Sequence, residues 1–304
     1  MKKIIVVLAL LVSIGKLYAQ QDVQFTHYMY NTLAVNPAYA GSRGMLNASL
    51  LGRQQWVGME GAPSSKTFFV HSPIASENMG LGFSVVSDKV GPIRQTGLVA
   101  NYSYTLKINE NGHKLAMGIS GSVNQLNANL SALKVNDQTD PAFQNTQKTA
   151  PNFGAGLYYH TDKWYTGVSS PKLLQTAIES NNKTNISQMV RHYYFLAGYV
   201  ITLSDKFKLK PATMIKVTKN APLTVDISAE VFHQDKLSAG LMYRLNDSMG
   251  ALIGYNFTNT FKAGLSYDYT LTKLTNYNSG TMEIFLSYDF QFKDQHRISS
   301  PRYF

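Results

Sequence analysis

Apolar and polar residues alternate along the last third of the chain, in short segments that are separated by polar turns. Within 236–245, the odd positions hold Leu237, Ala239, Leu241, Tyr243 and Leu245. A period of two places these residues on one face of a β-strand and the intervening ones on the other. The pattern recurs over 249–257, 261–269 and 282–290, with aromatic residues near the segment ends. Such repetition is typical of a transmembrane β-barrel.

The pattern predicts an all-β fold, a transmembrane antiparallel up-and-down barrel of about fourteen strands. The predicted strands lie at 46–56, 65–71, 80–87, 95–107, 113–133, 152–160, 164–169, 192–203, 207–217, 223–233, 236–245, 249–257, 261–270 and 281–291. Bacterial barrels have short periplasmic turns and longer external loops. We therefore expect the long connections 134–150, 171–190 and 271–280 to be external, and both termini to be periplasmic.

A β-sandwich is the main alternative fold, because alternation by itself requires only a half-buried sheet. Three features favour the barrel. The first residues predict an export signal, the 19 Tyr and 15 Phe crowd the strand ends, and the hairpins continue for most of the chain.

The N-terminus has the layout of a secretory signal peptide. Lys2 and Lys3 precede the apolar run 4–12, and Ala19 offers a small residue for cleavage. We therefore divide the chain into a signal peptide (1–19), an N-terminal periplasmic segment or plug (20–44), an outer-membrane barrel (45–291) and a periplasmic tail (292–304).

Composition narrows the function classes further. The absence of cysteine excludes disulfides and thiolate metal sites. The formal net charge is +10, but the basic residues are scattered, which disfavours nucleic acid as a partner. A mean hydropathy of −0.17 suits a barrel, since only every second side chain of a strand faces lipid.

The polar faces of the last strands carry charged residues that should point into the lumen. They are Asp226, Glu230, Lys236, Arg244, Lys262, Asp268, Glu283 and Asp289. If the tenth and eleventh strands pair through a three-residue turn, Asp226 lies opposite Arg244 and forms an interior salt bridge. The mixed charge fits either a polar, solvated interior or a lumen that holds a plug.

No motif indicates catalysis. Seven histidines are dispersed along the chain, with no H-E-x-x-H helix and no G-x-S-x-G elbow. A Ser-His-Asp triad remains an alternative, because its three residues can come from distant positions in the sequence. We expect no enzyme activity, no metal and no cofactor.

The segment 21–44 is rich in aromatic residues but has no period of two or 3.6. Asn36-Pro37 and Gly41 mark turns within it. Such a segment must bury its aromatic side chains somewhere. It is either a lid on the periplasmic mouth of the barrel or a docking site for a partner.

Residues 21–42 resemble the signature Q-D-x-Q-F-x-x-Y-M-x-N-x-x-x-x-N-P-A-Y-A-G-S of the PorP/SprF family, outer-membrane proteins of the Bacteroidetes type IX secretion system. The stretches 167–174 and 300–304 also resemble the family. Thr32 departs from it, because a proline is expected there. The resemblance covers essentially the whole mature chain.

The resemblance implies an outer-membrane component of the type IX secretion or gliding machinery. Such a protein scaffolds the export and surface attachment of sorting-domain proteins or adhesins. Its implied partners are other secretion components, including a periplasmic peptidoglycan-associated protein, and the secreted cargo, in a setting of outer-membrane lipid. The alternative function is an outer-membrane solute channel or porin.

Partner contacts are expected mainly from aromatic residues at the two termini. The candidates are Phe25, Tyr28, Tyr30, Asn36, Pro37, Tyr39, Arg302, Tyr303 and Phe304. A terminal aromatic such as Phe304 can also mark a barrel chain for membrane insertion, so the tail is either that signal or a periplasmic hook.

Overall fold

The structure, a computed structural model, describes residues 23–74, 78–133, 140, 143–179, 185–219 and 221–291. Fourteen antiparallel strands form one closed barrel. In chain order they are β1 (Leu46–Gln54), β2 (Ser64–Ile74), β3 (Met79–Val90), β4 (Ile93–Lys107), β5 (Lys114–Ala128), β6 (Thr146–His160), β7 (Trp164–Ser170), β8 (His192–Tyr199, continued by Ile201–Thr202), β9 (Phe207–Thr218), β10 (Thr224–His233), β11 (Leu237–Arg244), β12 (Ser248–Asn256), β13 (Phe261–Thr270) and β14 (Thr281–Phe290).

Each strand pairs with its neighbours in sequence, and β1 pairs with β14 to close the barrel. This arrangement leaves the backbone polar groups of the wall in ladder hydrogen bonds, as a membrane requires. The predicted all-β up-and-down barrel of about fourteen strands is confirmed.

Side chains alternate between the outer surface and the lumen with the predicted period. On β11, Leu241 is 70 % exposed on the outer face, whereas Arg244 is buried on the inner face. The outer face of the other strands is likewise mainly apolar, with Ile119 and Leu265 more than half exposed. Lipid covers such a surface in an outer-membrane barrel.

Two strand bounds differ most from the prediction, and several others shift by one to three residues. β5 ends at Ala128, and a short 3-10 helix, Leu130–Ala132, follows it. β6 begins at Thr146, opposite Ala128, and so takes in part of the predicted loop 134–150. Its first outward residues, Gln147 and Thr149, are polar and give no hydrophobic alternation. Backbone pairing with β5 extends the strand there.

The two ends of the barrel differ in their connections. One end, here called the short-turn end, has the turns 108–113, 161–163, 203–206, 234–236 and 257–260. The other, the long-loop end, has the connections 55–63, 171–191 and 271–280. Within 171–191 a small hairpin pairs Ala177–Glu179 with Asn185–Gln188. No helix in the described part of the chain is long and apolar enough to cross a membrane.

The segment 23–44, here called the plug, lies inside the barrel. It folds into three 3-10 turns, Tyr28–Tyr30, Thr32–Ala34 and Pro37–Tyr39, and most of its side chains are buried. The hypothesis of a lid on the periplasmic mouth is therefore wrong for these residues. Polar groups of the barrel wall hold the segment within the lumen instead. The predicted signal peptide (1–19) and tail (292–304) lie outside the described residues.

The plug runs along the length of the lumen. Thr26 bonds to Glu283, close to the long-loop end of β14, whereas Arg43 pairs with Asp289 near its short-turn end. The first described residues thus lie in the long-loop half of the barrel. Of the two positions that the sequence left open for this segment, a periplasmic segment or a plug, these residues occupy the second.

Candidate functional site

A carboxylate cluster holds the start of the plug. The side chain of Glu283 accepts the backbone N–H groups of Thr26 and His27 at 3.0 and 2.8 Å, and it contacts His27 Nδ1 at 2.6 Å. Arg53 bridges Glu283 and Asp268 at 3.0 and 2.9 Å. Each group is almost completely buried. Breaking such a network leaves uncompensated buried charge, so the cluster fixes the position of the plug.

A second contact centres on Tyr30. Its hydroxyl donates to Glu230 Oε2 at 2.6 Å. Burial, together with the Glu230 carboxylate, raises the pKa of the Tyr30 hydroxyl, so Tyr30 stays protonated and acts as the donor. The ammonium groups of Lys210 and Lys262 lie 4.4 and 3.8 Å from the centre of the Tyr30 ring. The ring also stacks on Phe285.

The last 3-10 turn of the plug rests directly on the barrel wall. Asn36 caps this turn by accepting Ala38 N–H at 3.0 Å, and it donates to the Leu157 carbonyl at 3.0 Å. A Cβ at Gly118 would collide with the backbone of Ala38. The wall therefore carries glycine where the plug approaches most closely.

Further wall groups bond the plug backbone. Ser169 Oγ donates to the Val35 carbonyl at 2.7 Å, and Ser103 Oγ donates to the Ala40 carbonyl at 2.6 Å. Because 3-10 turns this short leave many carbonyls unpaired, such hydrogen bonds are needed to bury the segment.

The hypothesis of an interior salt bridge between Asp226 and Arg244 is confirmed. The two residues lie opposite each other on β10 and β11, and the guanidinium donates to both carboxylate oxygens at 2.8 and 3.0 Å. Next to this pair, the Tyr28 hydroxyl bonds to Ser228 Oγ at 2.9 Å. The wall and the plug are thus joined there too.

The structure places the predicted partner-binding residues as follows. Inside the lumen, and buried, are Phe25, Tyr28, Tyr30, Asn36, Pro37 and Tyr39. Contact between a partner and these six residues would require the plug to leave the barrel. The other three candidates, Arg302, Tyr303 and Phe304, lie outside the described residues.

The predicted lumen-facing charges occupy three kinds of position. Fully buried on the inner face are Asp226, Glu230, Arg244, Asp268 and Glu283. Partly buried are Lys262 and Asp289. Lys236 is the exception, because it lies in the turn before β11 and is exposed. The prediction that Lys236 faces the lumen assumed the alternation of a β-strand, and this alternation does not apply to a residue in a turn.

Two groups of site residues were missed. Arg53 lies on the inner face of β1, and Lys210 lies on the inner face of β9. A strict count of alternate positions along each strand could have placed both residues in the lumen. The close contact of Gly118 with the plug has no counterpart in the sequence pattern, since it depends on where the plug lies.

The lumen has the properties of a packed interior. Its charges are mostly paired, and aromatic rings such as Tyr39 and Tyr158 pack edge to face at its centre. Among the residues that the structure describes, no group of three or more His, Asp or Glu side chains could hold a metal ion.

These features define a class: a plugged outer-membrane β-barrel. Comparison with known proteins gives the family. Residues 17–288 match the family described as type IX secretion system membrane protein PorP/SprF. The chain belongs to this family, and the sequence resemblance is confirmed. No curated protein matches the chain.

The chain is similar to several solved outer-membrane barrels. The "CymD monoaromatic hydrocarbon channel" aligns with a TM-score of 0.52 at 13 % identity, over 88 % of this chain and 94 % of that one. A Pseudomonas aeruginosa FadL homologue aligns with a TM-score of 0.49 at 13 % identity, over 91 % and 96 %. The Acinetobacter baumannii outer membrane protein Omp33 aligns with a TM-score of 0.48 at 10 % identity, over 82 % of this chain and 100 % of that one. At such low identity, the first alignment shows the fold alone.

Proposed function

We propose that this protein is an outer-membrane scaffold of the type IX secretion or gliding machinery that supports export and surface attachment of sorting-domain proteins. Family membership gives the secretion system. The observation that supports a scaffold is the filled lumen, in which wall residues bond the plug near both ends of the barrel. A barrel filled in this way is better suited to holding partners at its ends than to passing cargo through its centre.

In this proposal the long-loop end faces the cell exterior and the short-turn end faces the periplasm. Short periplasmic turns and long external loops are the rule for bacterial barrels. The loops 171–191 and 271–280 would then contact secreted adhesins or other sorting-domain cargo. The short turns and the tail 292–304, with Arg302, Tyr303 and Phe304, would contact periplasmic secretion components such as a peptidoglycan-associated protein.

The plug residues receive a different role from the one that the sequence suggested. Tyr28, Tyr30 and Tyr39 would stabilise the closed barrel, because their rings and hydroxyls are used within the lumen. They would support partner binding indirectly, by holding the strands and turns in one arrangement.

The test is a clean deletion followed by proteomics of the cell surface and the culture medium. Loss of specific sorting-domain proteins, with other outer-membrane proteins unchanged, would support the proposal and name the cargo. Loss of all such cargo would assign the protein to the core apparatus. Unchanged secretion would overturn the proposal.

The rival function is a solute channel. It would require a continuous aqueous path past the plug, which single-channel conductance in planar bilayers measures directly. We expect the wild-type protein to show little conductance, and a variant that lacks residues 23–44 to show much more. A wild-type conductance as high as that of the variant would favour the channel.

A further inference from the structure

A polar cleft of about 520 Å³ opens at the short-turn end, beside the plug. The Tyr30 ring and Phe285 lie at its base, and the turns before β11 and β13 form its rim. Its charged lining residues are Arg43, Asp235, Lys236, Lys262 and Asp289. A concave site of this size, with a few convergent polar groups, is the usual form of a small-ligand site.

Both carboxylates of the cleft already have cationic partners. Asp289 accepts from Arg43 at 2.8 Å and from the Asn47 amide at 2.7 Å. Asp235 pairs with Lys208, which contacts both of its oxygens at 3.1 and 2.9 Å. These carboxylates are therefore engaged.

Two lysines of the cleft make no close ion pair, although the charge of Lys262 acts on the Glu230 carboxylate. Neither Lys236 nor Lys262 makes a side-chain hydrogen bond, or an ion pair within 4.0 Å, with any residue that the structure describes. The Lys262 ammonium lies 3.8 Å from the centre of the Tyr30 ring. The nearby Glu230 is shared with Lys210, at 3.7 Å, and with the Tyr30 hydroxyl. Positive charge is thus in excess at this end of the lumen.

We propose that the cleft binds a compact oxyanion, a carboxylate or phosphate group, between Lys262 at its base and Lys236 at its rim. The anion adds counter-charge to that of Glu230, Asp235 and Asp289, and charge-assisted hydrogen bonds hold it. This inference does not depend on the secretion role.

Isothermal titration calorimetry on the full chain in a non-ionic detergent tests the proposal. Phosphate and acetate are titrated separately at constant ionic strength, with chloride as the balancing anion. The wild-type protein should bind one of the two saturably at one site per chain. The preferred probe distinguishes a phosphate-bearing ligand from a carboxylate-bearing one.

The variants assign the site. Lys262→Met keeps most of the side-chain volume and should weaken binding about tenfold or more, because it removes a charge-assisted contact worth over 1.4 kcal/mol. Lys236→Met, at an exposed turn position, should weaken it severalfold. Lys206→Met, an exposed lysine in another turn at the same end, should leave binding unchanged. Binding no stronger than that of chloride, or equal binding by the two cleft variants and the wild type, would overturn the proposal.

Discussion

Glu283 of β14 holds His27 of the plug through two contacts, with the backbone N–H at 2.8 Å and with ring Nδ1 at 2.6 Å. The two residues are 256 positions apart in sequence. One buried carboxylate thus joins the last strand of the barrel to the start of the plug. Arg53, from the first strand, binds the same carboxylate. The strands that close the barrel are therefore also the strands that hold the plug.

The replacement Glu283→Gln should loosen the plug. It removes the charge that pairs with Arg53 and weakens the bonds to Thr26 and His27. Since hydrogen bonds to charged groups contribute about 1.5–3 kcal/mol, we expect a loss of about 2–3 kcal/mol in unfolding free energy. Hydrogen exchange of 23–44 should also become faster. Glu60→Gln, at an exposed loop position, is the control and should change neither quantity. Unaltered exchange in Glu283→Gln would show that the carboxylate does not hold the plug.

A methyl group on the inner wall should be far more damaging than one on the outer wall of the same strand. A Cβ at Gly118 meets the plug backbone, whereas a Cβ at Gly121 has no atom within 4 Å. Because overpacking costs about 1–3 kcal/mol, Gly118→Ala should destabilise the protein by that amount and displace the plug. Gly121→Ala should be close to neutral. Chemical unfolding of the two variants in detergent makes the comparison, and equal stabilities would contradict the observed approach of the plug.

Asn36 contributes both as a cap and as a donor. Asn36→Ala loses both contacts and should cost about 1–2 kcal/mol. Asn36→Asp keeps the acceptor for Ala38 N–H but places a carboxylate against the Leu157 carbonyl, so it should cost at least as much. Unfolding free energies test this order. If Asn36→Asp were as stable as the wild type, the cap alone would account for the geometry of this turn and the donor role would be wrong.

Asp226 and Arg244 should show strong energetic coupling. Removing one partner, as in Asp226→Asn or Arg244→Met, leaves the other charge buried and should cost about 3–5 kcal/mol. The double variant should cost clearly less than the two single variants together. A double-mutant cycle from unfolding free energies gives the coupling, and additivity of the two changes would mean that the pair does not interact.

The barrel could be predicted from the sequence because its wall repeats one local rule. Leu241 and Arg244 take opposite faces through strand periodicity alone, and the short turn before β11 sets Asp226 against Arg244. Neither inference requires knowledge of distant parts of the chain. The same local rule explains why the start of β6 was predicted wrongly. Its first outward residues are polar and give no periodic signal.

The plug could be predicted from the sequence only as one of two alternatives for this segment. Residues 23–44 have no periodicity, and their place is set by wall groups such as Glu283 and Gly118, which are distant in sequence. The aromatic content of the segment did indicate that it must be buried. Its place inside the lumen follows only once the inner faces of β1, β5 and β14 are brought together.

A plug that is locked in place tests the central claim most directly, namely that the protein supports secretion with its lumen filled. The chain has no cysteine, and a Cβ at Gly82 would lie 3.4 Å from the Cβ of Ala40, close to the spacing of a disulfide. In the deletion strain, the oxidised Ala40→Cys/Gly82→Cys variant should restore surface and secreted sorting-domain proteins to the level of the Ala40→Cys single variant. Failure of the locked variant, with recovery on reduction, would show that the plug must move and would contradict the account.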